Sequence, residues 1–200
     1  MKRGIYYRII LLFLVSGAAA LIYQICWQRL LFESVGVDIE SVTIIVSTFM
    51  FGLGLGALVG GELADRYPDQ TLQLFAGIEA ATAAFGAVSP FLIHTVSRST
   101  VNAPLAITVA ANFGLLLCPT LLMGATLPIL VRRVMQLYQN IGESVGVLYF
   151  ANTLGAALGA GFTGFVALYY LGLNATIYIA VGLNIAVAAA VGLSLRERHV

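Results

Sequence analysis

The chain has 200 residues, of which 60% are hydrophobic and only 10% are charged. A soluble domain carries about 25% charged residues, so this composition argues against a water-soluble protein and indicates that lipid covers part of the surface. The net charge of +1 gives no reason to expect a nucleic-acid partner.

Six apolar runs are long enough for a membrane-spanning helix, which needs roughly 20 apolar residues. They lie at about residues 9–32, 41–63, 71–96, 103–131, 143–170 and 172–194. The connections are short, and no linker marks a second domain. The sequence therefore predicts an all-α integral membrane protein in which residues 1–200 form a single polytopic domain.

The basic residues lie mainly on one side of this arrangement. Only Arg29 and Arg98 fall near the opposite ends of the runs. Short loops rich in Lys and Arg stay in the cytoplasm, so the pattern predicts a cell-membrane protein with both termini cytoplasmic. The remaining eight basic residues are Lys2, Arg3, Arg8, Arg66, Arg132, Arg133, Arg196 and Arg198.

Small residues recur every four positions in the second and fifth runs. Residues at this spacing share one helix face and let two helices approach closely in lipid. We expect these stripes to be packing faces, and the alternative is that they are sliding surfaces for a moving helix. The glycines of the two stripes are Gly52, Gly56 and Gly60 in the second run and Gly155 and Gly159 in the fifth.

The two stripes also resemble each other in sequence. Residues 55–60 read Leu-Gly-Ala-Leu-Val-Gly, and residues 154–159 read Leu-Gly-Ala-Ala-Leu-Gly. Segments rich in Gly and Ala match by chance, which is one explanation. The other is a three-plus-three inverted repeat, the arrangement on which many transporter folds are built.

Glu79 is the leading candidate for a functional residue. It lies eight residues into the third run, about 12 Å along a helix. Ionisable groups within a bilayer are costly and face a cavity or a partner. A structural hydrogen bond and a substrate-binding or proton-carrying role both remain open for this carboxyl group.

A second group of polar residues lies near the outer end of the first run. Tyr23, Gln24 and Arg29 are candidates for the lining of a polar cavity. In the alternative interpretation, Trp27 is an anchor at the membrane interface and Arg29 extends outward to water. Single amides on three other runs either bridge helices or bind a ligand; these are Asn112, Asn152 and Asn184.

The sequence has no motif for a catalytic or metal centre. It lacks a Ser-His-Asp set, a His-Glu-x-x-His motif and a Cys-x-x-Cys motif. Cys26 and Cys118 lie within apolar runs and lack metal-ligand spacing. We therefore expect no catalytic residue, no bound metal and no cofactor.

The turn after the second run resembles a signature of the major facilitator superfamily. Residues 61–66 read Gly-Glu-Leu-Ala-Asp-Arg, in which Gly61, Asp65 and Arg66 match the family's turn between its second and third helices. The resemblance implies half of a major-facilitator-like fold. Tyr67 and the residues after it depart from the signature, because the basic second half of the motif is missing.

Four longer segments resemble the membrane part of the fused major facilitator/spermidine synthase-like family. In that family a cytoplasmic synthase-like domain follows the membrane helices, and residues 1–200 leave no room for it. The resemblance thus covers the membrane part, and aminopropyl transfer does not carry over. The segments lie at 16–24, 27–31, 121–128 and 146–156, and they include Leu-Leu-Met-Gly-Ala-Thr-Leu-Pro and Gly-Val-Leu-Tyr-Phe-Ala-Asn-Thr-Leu-Gly-Ala.

Three functions follow from these expectations. The first is a non-catalytic membrane subunit or anchor that docks a partner, such as a soluble synthase-like protein. The second is a half-size transporter that dimerises to move a small solute, for example a cationic amine. The third is a membrane remnant of an aminopropyltransferase-type enzyme. In the first two cases the chain forms a homodimer or a complex with another protein within the lipid bilayer.

Overall fold

A computed structural model describes residues 2–35, 39–137 and 140–196, and all regular structure in them is helical. The long helices are α1 (Lys2–Val35), α2 (Ile39–Arg66), α3 (Thr71–Thr100), α4 (Leu105–Leu137) and α5 (Ile141–Phe162). A π-helical turn (Thr163–Ala167) joins α5 to the short α6 (Leu168–Tyr170), and α7 (Leu173–Arg196) follows. A 3-10 turn (Pro68–Gln70) connects α2 to α3.

Six helical stretches in these ranges are long and apolar enough to cross a membrane, with α5, the π-helical turn and α6 counting as one. Each overlaps one predicted run, so the predicted number and order of long helices is confirmed. The outer surface is also apolar: Phe165 is 85% exposed and Leu58 is 73% exposed. Such a surface suits lipid and indicates a membrane protein.

Local sequence explains where α5 and α7 begin. The side chain of Asn140 caps α5, because its Oδ1 accepts a hydrogen bond from the backbone N–H of Glu143 at 3.2 Å. Nδ2 of Asn140 donates in return to Oε2 of Glu143 at 3.3 Å. Gly172 separates α6 from α7 with a φ of +78°, a left-handed conformation that glycine adopts without a steric penalty.

Helix α1 lies at the centre of the bundle and contacts α2, α3, α4, α5 and α7. The two most extensive pairings are α2 with α4 and α1 with α5, and α3 packs against both α4 and α7. Two clusters of buried side chains fill the interior, one around Trp27 and Phe49 and the other around Phe13 and Phe75. This arrangement also brings buried polar residues from separate helices into contact.

Candidate functional site

A small polar cavity lies within the bundle. Its volume is about 80 Å³, and α1, α2, α3, α4, α5 and α7 all contribute to its walls. The apolar part of the wall comes from Ala20, Leu21, Phe49, Leu53 and Met123. The polar part comes from Ser16, Gln24, Glu79, Thr82, Thr126, Asn152 and Asn184.

Glu79 joins three helices at this cavity. Its side chain is 1% exposed, and its two carboxyl oxygens accept hydrogen bonds from two other helices. Ser16 Oγ of α1 donates to Oε1 at 2.5 Å, and Asn184 Nδ2 of α7 donates to Oε2 at 2.5 Å. A buried carboxyl group requires such donors, because leaving a buried polar group without a hydrogen bond costs about 1–3 kcal/mol, and more for a charged group.

Two further predicted candidates, Gln24 and Asn152, also line the cavity and are half-buried. The Asn152 side chain bridges α5 and α1, since its Nδ2 donates to the backbone oxygen of Phe13 at 3.4 Å. The structure thus brings Glu79, Gln24 and Asn152 to one place.

Tyr23 and Arg29 do not line this cavity. Tyr23 is buried and stacks on Trp27, with 5.0 Å between the ring centroids. The Arg29 side chain is exposed. The expectation that Trp27 is an interface anchor is wrong: it is 0% exposed, and its Nε1 donates to Ser89 Oγ at 2.9 Å.

The expectation that the single amides bridge two helices is wrong for Asn112. Its Nδ2 donates to the backbone oxygen of Thr108 in its own helix at 2.8 Å. Asn184 does bridge two helices, through Glu79. Sequence reasoning also missed Ser16, Thr82 and Thr126, although a hydroxyl within an apolar run was the available signal.

The glycines of α2 lie against the backbone of α4. A Cβ atom on Gly56 would overlap the backbone oxygen of Leu121, and one on Gly60 would overlap Ala125. Gly52 faces the side chain of Thr120 in the same way. On the opposite helix, Gly124 of α4 faces the backbone oxygen of Leu53, which lies three positions before Gly56. These glycines allow α2 and α4 to touch backbone to backbone.

Helices α5 and α1 cross in the same manner. A Cβ atom on Gly155 would overlap the backbone oxygen of Leu14, and one on Gly159 would overlap that of Ala18. Gly17 of α1 faces the backbone oxygen of Asn152, which lies three positions before Gly155. The two crossings share the same register. Leu14 lies three positions before Gly17 and Ala18 lies one position after it. Residues 121 and 125 have the same spacing around Gly124 of α4.

The turn that resembles the facilitator signature lies at one end of the bundle. Asp65 Oδ1 and Arg132 Nε of α4 are 3.7 Å apart, and both side chains are substantially exposed. The Arg66 guanidinium lies over the Tyr67 ring, 5.7 Å from its centroid. Gly61 lines a neighbouring open groove of about 410 Å³ between α2, α4 and α5. This end therefore presents charged side chains beside an apolar groove.

The cavity is small, and Glu79 is the ionisable side chain among the described residues that line it. Among the described residues, no group of three or more His, Cys, Asp or Glu side chains is placed to hold a metal ion. A volume of about 80 Å³ holds one small group or a few water molecules, since each water occupies roughly 30 Å³ in the liquid.

Two curated proteins are similar to the sequence. It is 24% identical over 186 residues to the polyamine aminopropyltransferase of Oceanobacillus iheyensis, covering 93% of this chain and 35% of that protein. It is 27% identical over 182 residues to polyamine aminopropyltransferase 2 of Streptomyces coelicolor, covering 84% of this chain and 31% of that protein. The chain thus spans about a third of the length of the curated relatives it matches.

No family model matches the sequence, and no solved structure does. The sequence is therefore distantly related to polyamine aminopropyltransferases, which agrees with the resemblance to spermidine synthase-like proteins. The major-facilitator part of that resemblance stays a prediction.

Proposed function

We propose that this chain is a non-catalytic, multi-pass membrane subunit that docks a soluble aminopropyltransferase-like partner. One observation carries the proposal: the alignment covers 93% of this chain but 35% of a relative named as an aminopropyltransferase. The aligned part consists of apolar helices around a small polar cavity. Transfer chemistry then belongs to the partner, and the membrane subunit supplies its place at the bilayer.

The end of the bundle that carries the α2–α3 turn is the docking end in this proposal. Arg66 and Asp69 are exposed there, and the charge pattern of the sequence predicts that this end is cytoplasmic. The side chain of Gln136 holds the turn in position, because its Nε2 donates to the backbone oxygen of Pro68 at 2.9 Å. A fixed, charged turn offers a partner a rigid surface with both signs of charge.

Native purification from gently solubilised membranes tests the docking proposal. We expect an aminopropyltransferase-like protein to co-purify, and aminopropyl transfer to accompany the complex and not the isolated chain. The variant Arg66→Glu should reduce the amount of co-purified partner. Its matched control is Arg98→Glu, at an exposed residue near the end of α3 and away from this turn. Transfer activity in the isolated chain, or equal capture by both variants, would contradict the proposal.

A half-size transporter is the second candidate function, and the matching register of the two glycine crossings favours it. The α2–α4 and α1–α5 crossings use equivalent contacts around Gly124 and Gly17. Such equivalence supports a three-plus-three inverted repeat and hence half of a major-facilitator-like fold. Transporters built from inverted repeats hold their substrate near the bilayer midplane, between the repeats.

Transport by this chain would require a second copy or another membrane protein to complete a path. Reconstituted vesicles containing only this protein test the point. Transport predicts a dimer in gently solubilised samples together with uptake of a small amine. A monomer without uptake, combined with capture of a soluble partner, would select the docking subunit instead.

A further inference from the structure

The wall of the central cavity is rich in hydrogen-bond acceptors. Among the described residues that line it, none is Lys, Arg or His. The carboxyl group of Glu79 is 1% exposed and receives hydrogen bonds from two neutral groups, the Ser16 hydroxyl and the Asn184 amide. A carboxylate in such surroundings lacks a counter-ion within the cavity wall, and burying a charge without one is costly.

The side-chain oxygen of Asn184 is a second acceptor in the cavity wall that is open to a ligand. Asn184 is 3% exposed, and no donor among the described residues reaches its Oδ1. A carboxylate offers about four lone-pair sites, of which the two hydrogen bonds to Glu79 use two. Thr126 Oγ1 donates to the backbone oxygen of Met123 at 2.6 Å, which leaves its lone pairs able to accept. The cavity therefore favours a ligand that brings several donors.

The size and the apolar wall of the cavity restrict that ligand further. About 80 Å³ accommodates one head group with at most a short chain. Phe49, Leu53 and Met123 form the apolar side of the wall, where a bare metal cation would lack oxygen ligands. A primary ammonium group has three N–H donors and one positive charge, and an attached alkyl chain matches the apolar side.

We propose that the central cavity binds the ammonium head group of a primary alkylamine. Glu79 acts as its counter-ion, and Asn184 Oδ1 accepts a further hydrogen bond from it. Gln24 and Asn152 are the half-buried polar residues of the lining. This binding does not depend on a docked partner, and it stands or falls separately from the docking subunit.

Isothermal titration of the purified, full chain with butylammonium chloride tests the site. We expect Glu79→Gln to weaken binding by roughly tenfold to a hundredfold, the value of a hydrogen bond between charged groups. The matched control is Glu62→Gln, because Glu62 is exposed and lies outside the cavity lining. It should bind as the unaltered protein does.

Three comparison ligands separate an ammonium site from other binding. Butanol keeps the alkyl chain without the charge, tetramethylammonium keeps the charge without N–H donors, and sodium chloride supplies a bare cation. All three should bind at least about tenfold more weakly than butylammonium. Equal binding of tetramethylammonium or sodium, or equal affinity in Glu79→Gln, would overturn the proposal. Should Glu79→Gln fail to fold, unchanged affinity in Asn184→Ser would overturn it equally, and a weakening would support it.

Discussion

Asn184 of α7 donates a hydrogen bond to Glu79 of α3 at 2.5 Å, across the interface between two long helices. The same carboxyl group also receives the hydroxyl of Ser16 from α1 at 2.5 Å. Three helices that lie far apart in sequence are thereby joined at a single buried side chain. An isolated helix cannot form either hydrogen bond, so both of them require the tertiary fold.

The variant Glu79→Leu should lower stability by about 1–3 kcal/mol for each donor that it leaves unpaired. Thermal unfolding in detergent measures the effect. The triple variant Ser16→Ala/Glu79→Leu/Asn184→Leu removes the stranded donors together with the carboxyl group, so it should regain part of the loss. A triple variant that is less stable than Glu79→Leu would show that the cluster does not stabilise the bundle in this way.

Gly56→Ala should destabilise the protein, because the added Cβ would overlap the backbone oxygen of Leu121. Overpacking of this kind costs about 1–3 kcal/mol. Gly54 lies two residues away on the same helix and provides the control, because a Cβ atom there would meet nothing within 4 Å. Gly54→Ala should be neutral or slightly stabilising, since alanine favours helix by about 1 kcal/mol over glycine. Similar melting temperatures for both variants would mean that α2 does not pack on α4 through this face.

Gly17→Ala and Gly124→Ala should destabilise the protein to a similar extent. Gly17 faces the backbone oxygen of Asn152, and Gly124 faces that of Leu53, so the two substitutions disturb equivalent crossings. Gly114→Ala is the control, because a Cβ atom there meets nothing within 4 Å. Measured melting temperatures in one detergent allow the comparison. A large loss in only one of the two glycine variants would argue against equivalent crossings.

Trp27→Ala should cost about 3–5 kcal/mol, the usual range for removing a buried Trp side chain. The ring stacks on Tyr23, meets Phe85 edge-on at 5.7 Å and donates to Ser89, so its loss leaves a cavity and removes one hydrogen bond. Tyr169 is 81% exposed, and Tyr169→Ala is the matched aromatic control. Urea or thermal unfolding should separate the two variants clearly; equal stability would place Trp27 outside the core.

Reporter fusions test the orientation predicted from charge. A reporter that is active only in the cytoplasm should give a signal when fused after Val200 and no signal when inserted next to Arg98. The reason is that eight of the ten basic residues lie on the side of the termini. The reverse pattern would mean that the charge distribution does not set the orientation of this chain.

Much of the helical organisation could be predicted from the sequence. The six apolar runs overlap the six long helical stretches, because helices in lipid satisfy their own backbone hydrogen bonds and need only length and hydropathy. The candidate site was predictable in part. Glu79, Gln24 and Asn152 stand out as polar residues within apolar runs, and the structure gathers them around one cavity.

The remaining features of the site depended on which helices are in contact and on how each helix is rotated about its own axis. Ser16 looks like an ordinary small residue in its run, and only the packing of α1 on α3 brings it to Glu79. Trp is a residue type that is common at membrane interfaces. In the structure, however, Trp27 lies in the core, where it contacts aromatic rings and donates a hydrogen bond to Ser89.

By itself, the sequence determined the six long apolar segments and the small number of charged residues within them, because both properties depend on composition along a single segment. Tertiary structure alone decided that Asn184 faces Glu79 while Asn112 bonds to its own helix. The hydrogen-bond partner of a buried amide depends on the helix that faces it. That helix cannot be predicted from the spacing or the hydropathy of residues within one segment. The polar cavity is consequently a property of the packed bundle.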